Sequence, residues 1–235
     1  MRTTHRPRGF TLIELLVALA VMALMAVLGW RALAGMQQAR DTNREHADAV
    51  LALDAGLAQW TTDLDAVTEL PQTRALDWDG RALRLTRRAA AGAEAGAQVV
   101  AWTRAEREGR AQWLRWQSAP VRTREEWAGA WAAAGAWVQG AGADTPNGLR
   151  TREVRIAALA QWQLFFYRGG AWSNPLSSAG SNAAGGEAPP QVPDGVRLVL
   201  SVAAPHPLAG TLVRDWARPS SCLLYTSDAA DERSS

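Results

Sequence analysis

RGFTLIELLVALAVMALMAVLGW, Arg8 to Trp30, decides how this chain is built. Phe10 to Trp30 is 21 residues with a single charge, Glu14. At ~1.5 Å per residue such a helix is roughly 31 Å long, about the thickness of a bilayer's hydrocarbon core. Arg2, Arg6 and Arg8 precede it with no acidic residue among them, which holds this end on the cytoplasmic side. A secretory signal would have a shorter apolar core ending in a small-residue cleavage site. Neither a signal nor a plain anchor explains Glu14, since a carboxylate in lipid costs ~2.5–3.5 kcal/mol even on insertion-based scales.

Working outward, no proline occurs between Pro7 and Pro71, so nothing forces the helix to stop at the membrane surface. Val50, Leu53, Leu57, Trp60, Leu64 and Val67 recur at spacings of three and four, one stripe of a helix. Asp41, Arg44, Glu45, Asp48, Asp54 and Asp63 lie between them and read as a solvated face. The stripe is expected to pack on the chain's own domain, with a seam against partner helices as the second use. Leu57 and Trp60 are the candidate interface residues. A continuous helix from Phe10 to Leu70 would span roughly 90 Å, with Pro71 ending it.

Beyond Pro71 the period shortens to two. Ala82 to Arg87, Val99 to Ala105, Ala111 to Gln117, Val154 to Ala158, Gln161 to Tyr167, Val196 to Ala203 and Gly210 to Trp216 read as strands. Glu106 to Arg110 reads as a hairpin turn, and Thr123 followed by Glu126 as a capping box opening a short helix. Ala141 to Leu149 is a predicted loop. Ser173 to Asp194 is rich in Ser, Gly, Asn, Ala and Pro and is predicted to be irregular. The fold class is therefore α+β, a long N-terminal helix carrying a β-rich domain. Its parts are a leader over 1–9, a transmembrane helix over 10–33, an extramembrane helical half over 34–70 and the domain over 71–221. Residues 222–235 break with all that precedes them and resemble a translated sequencing adaptor. Ser220 or Ser221 is thus the expected native end, and without Cys222 no disulfide is available.

Composition excludes several functions. All 25 basic residues are arginine, formal net charge is +2 and acids interleave with the arginines, so no nucleic-acid footprint is clustered on one face. His5, His46 and His206 are dispersed, which argues against a metal centre. Asp77-x-Asp79-Gly80 lacks the further ligands of a calcium loop and reads as a surface turn, as do Asp144 and Asn147. No nucleophile elbow, P-loop or dinucleotide fingerprint is present. The expectation is a non-enzyme without cofactor. Trp102, Trp113, Trp116 and Trp162 fall inside predicted strands, where core or subunit-interface roles outweigh ligand stacking.

The basic leader, Gly9, Phe10, Thr11, Leu12 and Glu14 resemble the G-F-T-L-x-E core of type IV pilin and type II secretion pseudopilin signals. That resemblance implies cleavage between Gly9 and Phe10 by a membrane-embedded prepilin peptidase, N-methylation of Phe10, and an assembly role for Glu14 facing a neighbour's new amine. Further segments resemble minor pseudopilin J of type II secretion: Trp60 to Leu64, Leu83 to Arg87, Arg110 to Trp116, Gln163 to Trp172 and Pro193 to Leu200. They imply a subunit of a periplasmic pseudopilus tip, partnered by minor pseudopilins I and K and other pseudopilus subunits. It would be held single-pass in the inner membrane, with its N-terminus cytoplasmic and its domain periplasmic. The alanine-rich stretch from Trp127 to Gly142 departs from that family. Two alternatives stand beside it: a minor pilin of a type IV or DNA-uptake pilus, and a membrane-tethered periplasmic enzyme or binding protein.

Overall fold

The computed structural model describes residues 10–89, 96–140, 152–177 and 192–219. Its longest element is helix α1, Leu12–Asp65, shared between two compact units, 1–48 and 49–235. In the first unit every residue from Phe10 to Arg40 is exposed. Leu12, Ile13 and Met25 each show more than 60% of their surface. So much aliphatic surface on one helix is a cost in water and none in lipid. A helix also meets the second demand of a bilayer, because all its interior backbone groups are paired within it. This stretch is long and apolar enough to cross a membrane.

The second unit is built on an antiparallel sheet. Its strands are β1 (Leu76–Trp78), β2 (Ala82–Arg88), β3 (Ala97–Arg107), β4 (Arg110–Gln117), β5 (Glu153–Arg168), β6 (Ala171–Ser173), β7 (Gly195–Val202) and β8 (Gly210–Ala217). Among the described residues they run in the order β1-β2-β3-β4-β5-β7-β8, with β6 also on β5. Glu108 and Gly109, at φ 54° and 73°, form a two-residue turn between β3 and β4, the left-handed pair that suits a tight hairpin. The two strands predicted over 154–158 and 161–167 are one. β5 pairs with β4 through Glu153 to Ala158 and with β7 through Leu159 to Tyr167, slipping register between Leu159 and Gln161. A bulge changes partner and direction without ending a strand, which a break in alternation does not reveal.

Two-residue alternation sorts the side chains to two faces. Leu83, Leu85, Val100, Trp102, Trp113, Leu198 and Leu200 form the larger core with Leu53, Trp60 and Leu64 of α1. Val99, Ala101, Leu114 and Trp116 form a second core with Ala134 and Trp137 of helix α2, Arg124–Val138. α2 starts where the sequence places it. Thr123 Oγ1 accepts from the Glu126 N–H at 3.2 Å, and Glu126 accepts from the N–H groups of Arg122 and Thr123 at 2.7 and 3.2 Å. Those two backbone donors hold the Glu126 carboxyl below its ordinary range.

Two expectations about α1 are corrected. It stops at Asp65 rather than Leu70, six residues before Pro71. The chain then lies along β2: the Thr68 N–H donates to Thr86 O at 3.0 Å and the Arg88 N–H to Ala66 O at 2.9 Å. Sheet pairing, not proline, ends the helix. Asp63 is not on a solvated face, since it is wholly buried. The stripe also includes Gly56, where an added Cβ would run into Ile156 Cγ2 and stand 3.3 Å from the Trp113 ring. Gly56→Val is expected to lower stability by ~1–3 kcal/mol through overpacking, read as a drop in melting temperature with unchanged helical signal at 20 °C or so.

The predicted loop over 141–149, most of the irregular stretch over 173–194, the leader and the 222–235 tail lie outside the described residues. Asp77 and Asp79 serve a turn and an ion pair. Asp79 accepts from the N–H groups of Arg81 and Ala82 at 2.9 and 2.8 Å, and Arg84 Nη2 reaches Asp77 at 2.6 Å.

Candidate functional site

The polar feature of the apolar helix is its first turn. Thr11 stands at the N-cap position, and its Oγ1 accepts from the Glu14 N–H at 3.4 Å. Glu14 Oε2 in return faces the Thr11 N–H at 3.4 Å and its hydroxyl at 3.3 Å. This is the reciprocal geometry of a capping box, with the carboxylate where the helix dipole favours it. All three contacts are long for hydrogen bonds, so the carboxylate keeps most of its capacity to accept. No described cation meets Glu14. An intramembrane carboxylate without a cation calls for one from elsewhere. Phe10, 85% exposed, begins the described chain beside this turn. Gly9 lies outside the described residues.

The candidate interface residues fare differently from each other. Trp60 has no exposed surface and sits among Trp102, Trp113 and Trp162 at ring distances of 5.3, 6.1 and 6.5 Å. A side chain enclosed by its own domain has no area left for a partner, so Trp60 belongs to the core. Leu57 is half-buried against the same core, leaving part of its surface open.

What holds this end of α1 to the sheet was not legible as a site. Asp63 accepts from Gln59 Nε2 at 2.8 Å within the helix. From the sheet it accepts Trp102 Nε1 at 2.9 Å, Arg115 Nε and Nη2 at 2.7 and 2.9 Å, and Arg87 Nη1. Both carboxylate oxygens are thus shared by two guanidinium groups and an indole. A buried charge is tolerable only when it is paired and its lone pairs are filled, and here they are. Gln117 Oε1 takes a further Arg115 donor at 2.7 Å. The only sequence signal was negative: an acid flanked by stripe positions Trp60 and Leu64, one step round the helix from the buried face.

A second carboxylate does the same on the other face. Glu153 on β5 receives Arg107 Nε and Nη2 at 3.0 and 2.8 Å from β3 and Trp137 Nε1 at 2.7 Å from α2. Burial raises its pKa, but the Arg107 and Trp137 hydrogen bonds and the Arg107 charge outweigh that and leave it lowered. A depressed carboxyl contributes stability above its unfolded value, ~4.3, and loses it as pH falls through the lower folded value. Glu153→Gln is therefore expected to flatten the dependence of melting temperature on pH below about pH 5. A variant whose acid limb matches wild type would remove Glu153 from that titration.

Tryptophan thus serves mostly in packing. Trp127 and Trp131 stack at 5.2 Å, and Arg84 lies 5.0 Å over Trp131. Among the described residues no group of three or more His, Cys, Asp or Glu is placed to hold a metal ion. Chemically the arrangement among the described residues can anchor, cap and lock helices.

Residues 4–30 match the model of the prokaryotic N-terminal methylation motif. No curated protein matches the chain. The motif supports a type IV pilin-like or pseudopilin protein, and it implies processing by a prepilin peptidase and assembly into pilus-like filaments. The long apolar helix followed by an antiparallel sheet domain fits that α+β architecture and a single membrane anchor.

Proposed function

We propose that this chain is a minor pseudopilin of the type II secretion class, a non-enzymatic subunit of the pseudopilus tip that promotes export of folded proteins. The observation that carries the reading is Glu14, a carboxylate kept in the first turn of an apolar helix and only loosely held by Thr11. Cleavage after Gly9 creates an ammonium on Phe10, and the same event in a neighbouring subunit supplies a cation to Glu14, which no described cation meets. Minor pseudopilins I and K are the proposed partners, on the strength of the sequence resemblance to subunit J. On this reading the chain is single-pass in the inner membrane, its N-terminus cytoplasmic and its domain periplasmic. Leu57, half exposed beside the core, is retained as a candidate contact with a partner helix.

Glu14→Ala is the test. It should be cleaved and methylated normally and insert at least as well as wild type, because a costly charge is gone. Its incorporation into filaments should fall by about tenfold, the equivalent of ~1.4 kcal/mol. Normal incorporation would sink the assembly role. Co-purification of the full chain with candidate I and K subunits separates the tip reading from a minor pilin of a type IV or DNA-uptake pilus, which would be captured by other partners.

A further inference from the structure

A cleft of about 920 Å³ opens where the turn after α1, the end of β2, the start of β3 and the start of α2 meet. Its floor is apolar, made by Leu70, Pro71, Val121 and Trp127, and Leu70 leaves 40% of its surface exposed. The floor is also rigid at Trp127, whose Nε1 donates to Thr86 Oγ1 at 2.9 Å while the ring stacks on Trp131. Arg88 from β2 and Arg124 from α2 stand on the rim, both exposed. Neither meets a carboxylate among the described residues. Arg122 lines the cleft as well, and no Asp or Glu among the described residues does.

Two acids that neighbour lining residues in the chain are already engaged. Glu69 pairs with Arg218 at 3.1 Å, and Glu126 caps α2 through the N–H groups of Arg122 and Thr123. The positive charge at the cleft is that of the arginines that line it. Arg88 and Arg124 thus bring two exposed arginines to one largely apolar hollow. A small inorganic anion would use the rim and leave the floor unfilled. Arginine beside a fixed aromatic is the composition on which protein partners anchor.

We propose that this cleft docks an acidic peptide segment of a partner protein, with carboxylates on Arg88 and Arg124 and an apolar side chain on the floor between them. This surface is separate from the N-terminal motif, so its test stands or falls apart from processing and filament assembly. The full chain in dodecyl maltoside micelles is titrated into fluorescein-labelled GELEFEG, and separately into the charge-inverted peptide GKLKFKG, with anisotropy as the readout. The acidic peptide should bind saturably and the basic one should not. Raising salt from about 0.05 to 0.5 M should weaken binding, as screening requires.

R88E/R124E should raise the dissociation constant about tenfold or more, and R88Q/R124Q should raise it by less. Both pairs of substitutions are on exposed side chains, and matched melting curves establish that the fold is kept. Should the reversal variant melt early, the glutamine variant carries the test alone. Failure of the acidic peptide to saturate by about 1 mM, equal binding of both peptides, or binding indifferent to these substitutions overturns the proposal. So does displacement by free glutamate at the peptide's own concentration, which would make this a small-anion site.

Discussion

Asp63→Ala is expected to destabilise the sheet-bearing unit by ~3–5 kcal/mol, the cost of breaking a buried ion pair from one side. The reason is what it leaves behind. Arg87 and Arg115 would keep their charges beside a methyl group, and Trp102 Nε1 would lose its acceptor. Solvent cannot easily replace the carboxylate, because Asp63 has no exposed surface at all. Asp63→Asn separates charge from shape: the amide can accept one or two of these donors but neutralises nothing, so it should fall between alanine and wild type. Denaturation of the full chain in detergent micelles, followed by tryptophan fluorescence, measures both, since Trp60, Trp102 and Trp113 surround the site. Removing all three charges at once, with Arg87→Met and Arg115→Met added to Asp63→Leu, should recover much of the loss. Stability unchanged in Asp63→Ala would mean that packing alone seats α1 on the sheet.

Gly9→Val is expected to abolish processing. On the proposed reading a prepilin peptidase cuts the Gly9–Phe10 peptide bond, and glycine presents no side chain to its approach. Valine places two methyl groups beside the scissile carbonyl and stiffens the backbone into the extended region. The variant should accumulate as a precursor nine residues longer than the mature chain. Intact mass should show no methyl group on Phe10, whose amine stays within a peptide bond. Filament incorporation should be lost with it, since Glu14 of each subunit then has no new ammonium to meet. A Gly9→Val chain of mature mass with N-methyl-Phe10 would end the prepilin reading, whereas Gly9→Ala, with its single methyl group, should be cut slowly.

The two variants probe opposite ends of α1 and should not mimic one another. Asp63 substitutions act on the folding of the unit from Ala49 onward and leave the motif over 4–30 untouched. Gly9 and Glu14 substitutions should leave the melting of that unit unchanged, since both residues lie in the other unit.

Sequence by itself determined the features whose physics is local. One charge in 21 residues from Phe10 to Trp30 is enough for a membrane-length helix, because lipid asks only for apolar side chains and internally paired backbone. The Thr123–Glu126 box was readable because both of its partners lie within one turn, and the strands because alternation needs no knowledge of neighbours. The buried face of α1 was read to within its aliphatic and aromatic members, Leu53, Trp60 and Leu64. What lies between those members was not. Asp63 and a solvated aspartate look alike in sequence; the difference is Arg87, Trp102 and Arg115, which come 24, 39 and 52 residues later. Glu153 finds Arg107 and Trp137 in the same way. The helix end at Asp65 was likewise decided by β2, where Thr86 and Arg88 give Thr68 and Ala66 backbone partners beyond the end of β1. Trp60 went to the core rather than to a partner because three other tryptophans close around it. Periodicity records which way a side chain points on its own element. Whether that direction leads into water, lipid or a waiting guanidinium depends on residues far along the chain, and only the tertiary structure brings them there.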